Sequence, residues 1–74
     1  MSKGYRVGWL VAILMKNGTF TRDEYYKAFD LTDDYGDAAI KMFRRDVRIV
    51  KDVFDDLGYG KVRFNKDING YEVV

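Results

Sequence analysis

The residues best suited to chemistry in this chain are five cations spread over eleven positions: Lys41, Arg44, Arg45, Arg48 and Lys51. On a helix, which turns about 100° per residue, all five project from one arc. Arginine can form paired hydrogen bonds with phosphate oxygens or with guanine edges, so the arc suits an anionic groove. The alternative interpretation is an ordinary solvated helix face, which is charged in most proteins.

Catalytic chemistry has little support, because the chain contains no histidine and no cysteine. Disulfides, zinc sites with these ligands, thiol nucleophiles and imidazole bases are therefore excluded, although a metal site built only from carboxylates is not. Two acidic groups could be imagined as such a site, but neither has the spacing of a calcium loop. They are Asp33, Asp34 and Asp37, and Asp52, Asp55 and Asp56. We expect no enzymatic activity, cofactor or metal.

The composition is that of one small soluble domain, with 74 residues, 47% of them hydrophobic and 16% aromatic. No apolar run approaches the roughly 20 residues of a membrane span, and no signal peptide is recognisable, so we expect a cytoplasmic protein. The net charge of +1 conceals alternating blocks. Residues 23–37 are strongly acidic, 38–51 basic and 52–57 acidic. A basic block of this kind is the local footprint of a nucleic-acid partner.

Two helices are predicted in the first half of the chain. Apolar residues at helical spacing indicate one over residues 5–16, and Asn17-Gly18 should end it. A short extended link at 19–20 follows. Thr21 and Glu24 then have the spacing of a capping box, which begins a second helix over residues 22–29. We expect that helix to bury Tyr25, Ala28 and Phe29.

A third helix is predicted over residues 37–57, with Asp33, Asp34 or Asp37 as its cap and Gly58 at its end. Its core stripe has steps of three and four: Ile40, Phe43, Val47, Val50 and Phe54. Residues 61–65 alternate polar and apolar, which predicts a strand with Val62 and Phe64 inward. A turn containing Asn-Gly leads into a return strand over 71–74.

This order of elements predicts an α+β fold, a winged helix-turn-helix with three helices and a C-terminal β-hairpin wing over residues 61–74. The third helix would enter the major groove of DNA. The wing cations Arg63 and Lys66 would reach the backbone or the minor groove, unless they only protect an edge strand from aggregation. The aspartates before the third helix would repel phosphates, so either they turn aside or residues 41–48 face the groove.

Two segments resemble a known family. The run from Lys41 to Val47, Lys-Met-Phe-Arg-Arg-Asp-Val, resembles the Arg-Thr-Ile-x-Arg-Asp-Ile motif on the recognition helix of bacterial DeoR-type and WYL-domain transcriptional regulators. Leu57-Gly58, followed by Asn69-Gly70-Tyr71-Glu-Val73, resembles their Leu-Gly and Gly-Gly-Tyr-x-Leu wing. The resemblance covers nearly the whole chain, and the Arg-Asp and Gly-Tyr pairs are its most informative parts.

The resemblance implies a DNA-binding function, with Lys41, Arg44 and Arg45 facing DNA and Arg45 the strongest candidate. It also implies that Asp46 is an intramolecular partner that orients a basic side chain, without saying which. Lys41-Met42 departs from the family's Arg-Thr, and the turn over residues 30–37 is longer and more acidic. The family continues into ligand-sensing domains after the wing. The chain is thus interpreted as a cut-out domain or a small bacterial or phage regulator without an effector site.

The expected partner is double-stranded DNA bound by a homodimer, with no membrane and no small-molecule ligand. Two apolar helix faces are candidate dimer surfaces, unless they only add to the core: Tyr5, Trp9 and Ile13 on the first helix, and Met42, Ile49 and Val53 on the third. A different class of function stays open. Winged helices also bind proteins, and the acidic blocks favour an interaction module or a small inhibitor protein.

Overall fold

Three helices and three short strands form the part of the chain, residues 2–31 and 36–74, that the computed structural model describes. In chain order they are α1 (Lys3–Asn17), β1 (Thr19–Thr21), α2 (Arg22–Ala28), α3 (Gly36–Leu57), β2 (Val62–Asn65) and β3 (Gly70–Val73). The protein is therefore a small α+β domain in which three helices precede a C-terminal antiparallel strand pair.

The first two helices begin and end at local signals. Ser2 begins α1, since its side chain accepts a hydrogen bond from the Tyr5 N–H at 3.2 Å. Gly18 ends α1 in the left-handed region, with φ of 78°. The predicted capping box of α2 is confirmed. The Glu24 N–H donates to Thr21 Oγ1 at 3.1 Å, and the Thr21 N–H donates to Glu24 Oε1 at 2.9 Å.

The third helix has almost the predicted bounds. Asp37 lies in its first turn, where a carboxylate suits the helix dipole. The other two predicted caps, Asp33 and Asp34, lie outside the described residues. Gly58 follows the last residue of α3 with φ of 70°, which confirms the predicted end. No helix among the described residues is long and apolar enough to cross a membrane.

The three strands form one antiparallel sheet in the order β1-β3-β2. The predicted hairpin is confirmed, but the segment predicted as an extended link, residues 19–20, is part of the edge strand β1. Gly70 lets β1 approach β3, because a Cβ at that position would stand 2.5 Å from the Phe20 carbonyl oxygen. The hairpin turn occupies residues 66–69, and Asn69 takes a positive φ of 51°.

The core lies where α1, α2 and α3 meet the sheet. It consists of Leu10, Leu14, Phe20, Tyr25, Phe43, Val47, Val50, Phe54 and Val62. Three predictions of burial are corrected. Ala28 is exposed, because Tyr25 and the half-buried Phe29 already supply the inner side of this seven-residue helix. Ile40 is only half-buried. Phe64 is 53% exposed, because the ring of Tyr71 fills the space between it and the core.

Candidate nucleic-acid interface

The cations of α3 lie on its solvent side, away from the core stripe. Lys41, Arg44, Arg45 and Arg48 are exposed, and Lys51 is half-buried with its ammonium 5.6 Å from the centre of the Tyr71 ring. Within residues 2–31 and 36–74, none of these five cations forms an ion pair. The predicted arc therefore exists as a surface on which the four exposed side chains are available to an anion. We call these five residues the basic arc.

Acidic residues flank the basic arc at both ends of α3. Asp37 precedes it in the first turn, while Asp52, Asp55 and Asp56 follow it, and all four are exposed. Asp55 forms an ion pair with Lys61 at 3.0 Å. Phosphates would be attracted to the middle of the helix and repelled from its ends, since exposed charges act over a Debye length of about 8 Å. The positive surface that could attract phosphates is therefore confined to the three turns of α3 that carry the basic arc.

Asp46, next to Arg45 in the chain, points into the protein and is 1% exposed. Its Oδ2 accepts a hydrogen bond from Arg6 Nε of α1 at 2.8 Å and from the Tyr25 hydroxyl of α2 at 2.7 Å. The hydrogen bond to Asp46 raises the pKa of the Arg6 guanidinium. Burial, and then the same carboxylate, raises the pKa of the Tyr25 hydroxyl. Arg6 is therefore the basic side chain that Asp46 orients.

This buried group, which we call the Asp46 network, joins all three helices. It also makes Arg6 unsuited to contact a phosphate, because the Arg6 side chain is only 14% exposed and its charge is balanced by a carboxylate. Arg45 lies one residue away, so its side chain is rotated by about 100° about the helix axis and remains on the surface. The Arg-Asp pair thus divides into an outward cation and an inward anion.

The hairpin presents fewer available charges than predicted. Arg63 Nε donates to Glu72 Oε2, and Asn65 Nδ2 donates to Glu72 Oε1, both at 2.9 Å across the strand pair. The hydrogen bond from Asn65, followed by that from Arg63, lowers the pKa of Glu72. Lys66, at the exposed turn, has no ion-pair partner within the described ranges. Of the two wing cations in the predicted site, Lys66 is available and Arg63 is paired.

A shallow groove runs between α3 and the hairpin, and we call it the helix–hairpin groove. It consists of two adjoining cavities of about 220 and 430 Å³, and both are lined by Arg44 and Tyr71. The smaller cavity is also lined by Arg22, Ile40, Phe43, Phe64, Asn69 and Gly70. The larger is also lined by Val47, Arg48, Lys51, Asp52 and Asp55. The groove therefore combines three residues of the basic arc, Arg44, Arg48 and Lys51, with the exposed ring of Phe64.

Sequence reasoning did not place Arg22, Phe64 or Asn69 at the site. These residues come from α2, β2 and the hairpin turn, and only the tertiary arrangement brings them beside Arg44. For Arg22 the sequence contains only a weak indication of a role at the site, namely a cation at the first position of α2. For Phe64 the sequence is misleading, because it shares the apolar positions of an alternating strand with Val62, which predicts a buried side chain.

The first candidate dimer surface belongs partly to the core. Trp9 and Ile13 are half-buried and pack against the core, and the Trp9 ring meets Phe29 edge-on at 5.3 Å between centroids. Tyr5 is 60% exposed, with its ring 6.2 Å from that of Phe29. On the second surface, Met42 packs against the core, whereas Ile49 and Val53 are half-buried flank residues.

Of the two acidic groups considered as carboxylate metal sites, one includes Asp33 and Asp34, which lie outside the described residues. No group of three or more carboxylates within residues 2–31 and 36–74 could hold a metal ion, and this includes Asp52, Asp55 and Asp56. In comparisons with known proteins, no family model, curated protein or solved structure matches this chain. The function of this chain is therefore inferred from its residues and their geometry.

Proposed function

We propose that this chain is a winged helix-turn-helix domain that binds double-stranded DNA sequence-specifically, as a transcriptional regulator or the DNA-binding part of one. In this proposal α3 is the recognition helix and lies in the major groove. The β2–β3 hairpin is the wing, and it contacts the backbone or the minor groove.

The arrangement of elements supports the proposal. A capped α2 precedes a long amphipathic α3, and an antiparallel hairpin follows. The Asp46 network ties α3 to both α1 and α2 through hydrogen bonds of 2.7 and 2.8 Å. A recognition helix needs such a fixed orientation, because paired hydrogen bonds to base edges tolerate little angular error.

The observation that carries the proposal is the basic arc itself, with four exposed cations that have no ion-pair partner among the described residues. From Lys41 to Lys51 the helix advances about 15 Å. The major groove of DNA is about 12 Å wide, which is enough to admit an α-helix. Asp37 lies four positions before Lys41 and Asp52 lies four positions after Arg48, so Arg44 and Arg45 are the cations farthest along the helix from these acids. The phosphates of a DNA backbone would neutralise the positive charges of the basic arc.

Individual roles follow from position. Arg45, which is exposed and lines neither cavity of the helix–hairpin groove, is proposed to read a guanine edge. Arg44, Arg48 and Lys41 surround it and would hold phosphates or neighbouring bases. Lys66 would contact a phosphate from the wing. We propose a homodimer on paired half-sites, since a single small domain buries little surface on DNA.

The test is fluorescence anisotropy with a mixed-sequence duplex pool over a salt series, comparing wild type with Arg45→Ala. We expect binding that weakens steeply with salt, and an affinity several-fold lower for the variant, because Arg45→Ala removes one cation from the surface that contacts DNA. Lys16→Ala is the matched control, because Lys16 is an exposed cation in the last turn of α1. Absence of binding at low salt, or equal losses in both variants, contradicts the proposal.

A protein-binding module is the second candidate. It is favoured by three apolar side chains that are 54–59% exposed near the C-terminal end of α3, namely Leu57, Tyr59 and Val74. Such a module would bind its partner through these apolar residues and would depend weakly on salt. Substitution of the basic arc would leave that binding unchanged.

A further inference from the structure

Phe64 has no role in the duplex binding proposed above, yet it is the most exposed aromatic side chain of the hairpin, at 53%. It lines the smaller cavity of the helix–hairpin groove beside Arg44. A large apolar side chain left half in water, next to cations and inside a concave surface, is a common feature of binding sites.

The Phe64 ring is held in place from beneath. Tyr71 meets it edge-on, with centroids 5.5 Å apart and an interplanar angle of 74°. Tyr71 is in turn packed against the buried Phe20 at 5.5 Å and against Phe43 at 6.0 Å. The ring is therefore supported by the core while its outer surface is exposed, which makes it a platform for a planar ligand.

The charges around this platform are mostly positive. Arg22 and Arg44 line the same cavity as Phe64, and Asn69 adds an amide that can both donate and accept hydrogen bonds. In the larger cavity Arg48 and Lys51 face Asp52 and Asp55. Among the described residues that line the end of the groove nearest Phe64, none is acidic, so that end attracts an anion, whereas the far end carries Asp52 and Asp55.

We propose that the helix–hairpin groove binds single-stranded nucleic acid, with one unpaired base stacked on Phe64 and its flanking phosphates on Arg22 and Arg44. Aromatic rings with nearby cations are the combination that holds unpaired strands, because every base offers a planar face and every linkage an anion. Paired bases are stacked inside the duplex and cannot reach such a ring. This binding therefore differs from the duplex binding of α3 in its use of Phe64 and Arg22, although both use Arg44. An acidic peptide would satisfy the arginines but would gain nothing from the ring.

The experiment measures anisotropy of labelled oligothymidylate and oligouridylate of roughly ten nucleotides, with wild type, Phe64→Leu and Tyr59→Leu. Tyr59 is a close control, since it is 54% exposed and meets Phe54 edge-on at 5.6 Å and 74°. It does not line either cavity of the groove. Circular dichroism establishes that both variants are folded. The affinity for a duplex of the same length is measured with all three proteins. A polyglutamate peptide is used as a competitor against the labelled single strands.

We expect single strands to bind, Phe64→Leu to weaken that binding about tenfold, and Tyr59→Leu to leave it unchanged. Duplex affinity should be the same in all three proteins, and the difference between the two oligonucleotides shows whether DNA or RNA is preferred. No binding of either strand at low salt overturns the proposal. So does an equal loss in both variants, or displacement of the strands by polyglutamate as effectively as by unlabelled oligonucleotide.

Discussion

Asp46 shows how one buried carboxylate can fix the orientation of a surface that it does not itself form. It accepts hydrogen bonds from Arg6 and Tyr25, and a charge at 1% exposure would be costly without such partners. The family resemblance implies that Asp46 orients a basic side chain, but Arg6 lies 40 positions away, so helical spacing cannot identify it as that side chain. Arg45, by contrast, was placed on the surface from spacing alone.

Removing one hydroxyl tests the Asp46 network. Tyr25→Phe leaves the ring in the core but deletes a hydrogen bond to a buried charged group, so we expect the free energy of unfolding to fall by about 2 kcal/mol in urea titrations. Tyr26→Phe is the neighbouring control, because its hydroxyl makes no hydrogen bond to any described residue. Equal stability of Tyr25→Phe and wild type would show that the network contributes nothing.

The helices were largely predictable, because their ends carry local signals. The capping box, Gly18 and Gly58 all lie where the structure begins or ends a helix. The strand β1 was not predictable as part of the sheet, since three residues carry little periodicity and their partner, β3, lies about fifty residues further along the chain. Phe64 is predicted to be buried but is exposed. Alternation shows which side chains share a face of the strand, but it does not show whether the core covers the whole of that face.

The hairpin should respond to acid through Glu72. Its pKa is lowered in the folded protein by hydrogen bonds from Asn65 and Arg63, so its contribution to stability is present above its ordinary pKa of 4.5. That contribution is lost as the pH falls through the lower, folded pKa. We expect Glu72→Gln to be less stable than wild type at neutral pH, and the difference to disappear in acid.

Urea titrations at several pH values, from about 7 down to about 3, measure this effect. Because Asn65 is the larger cause of the lowered pKa, Asn65→Ala should remove more of the pH-dependent difference than Arg63→Gln. A stability difference between Glu72→Gln and wild type that does not change with pH would contradict the assignment.

The whole molecule has a net charge of +1, but five of its 13 lysine and arginine residues share one face of α3. The basic arc occupies the middle of α3, acidic residues bound it, and the helix–hairpin groove adjoins it. The arc was predictable because its five members share one helix. The groove was not, because Arg22, Phe64 and Asn69 belong to three segments that only packing brings together.

Amide chemical-shift mapping of the labelled protein during titration with duplex DNA would locate the interface on the molecule. We predict that the largest shifts cluster on α3 from Lys41 to Lys51, with further shifts at Lys66, and that they reverse when salt is added. Shifts confined to Leu57, Tyr59 and Val74, or no shifts at low salt, would contradict DNA recognition by α3.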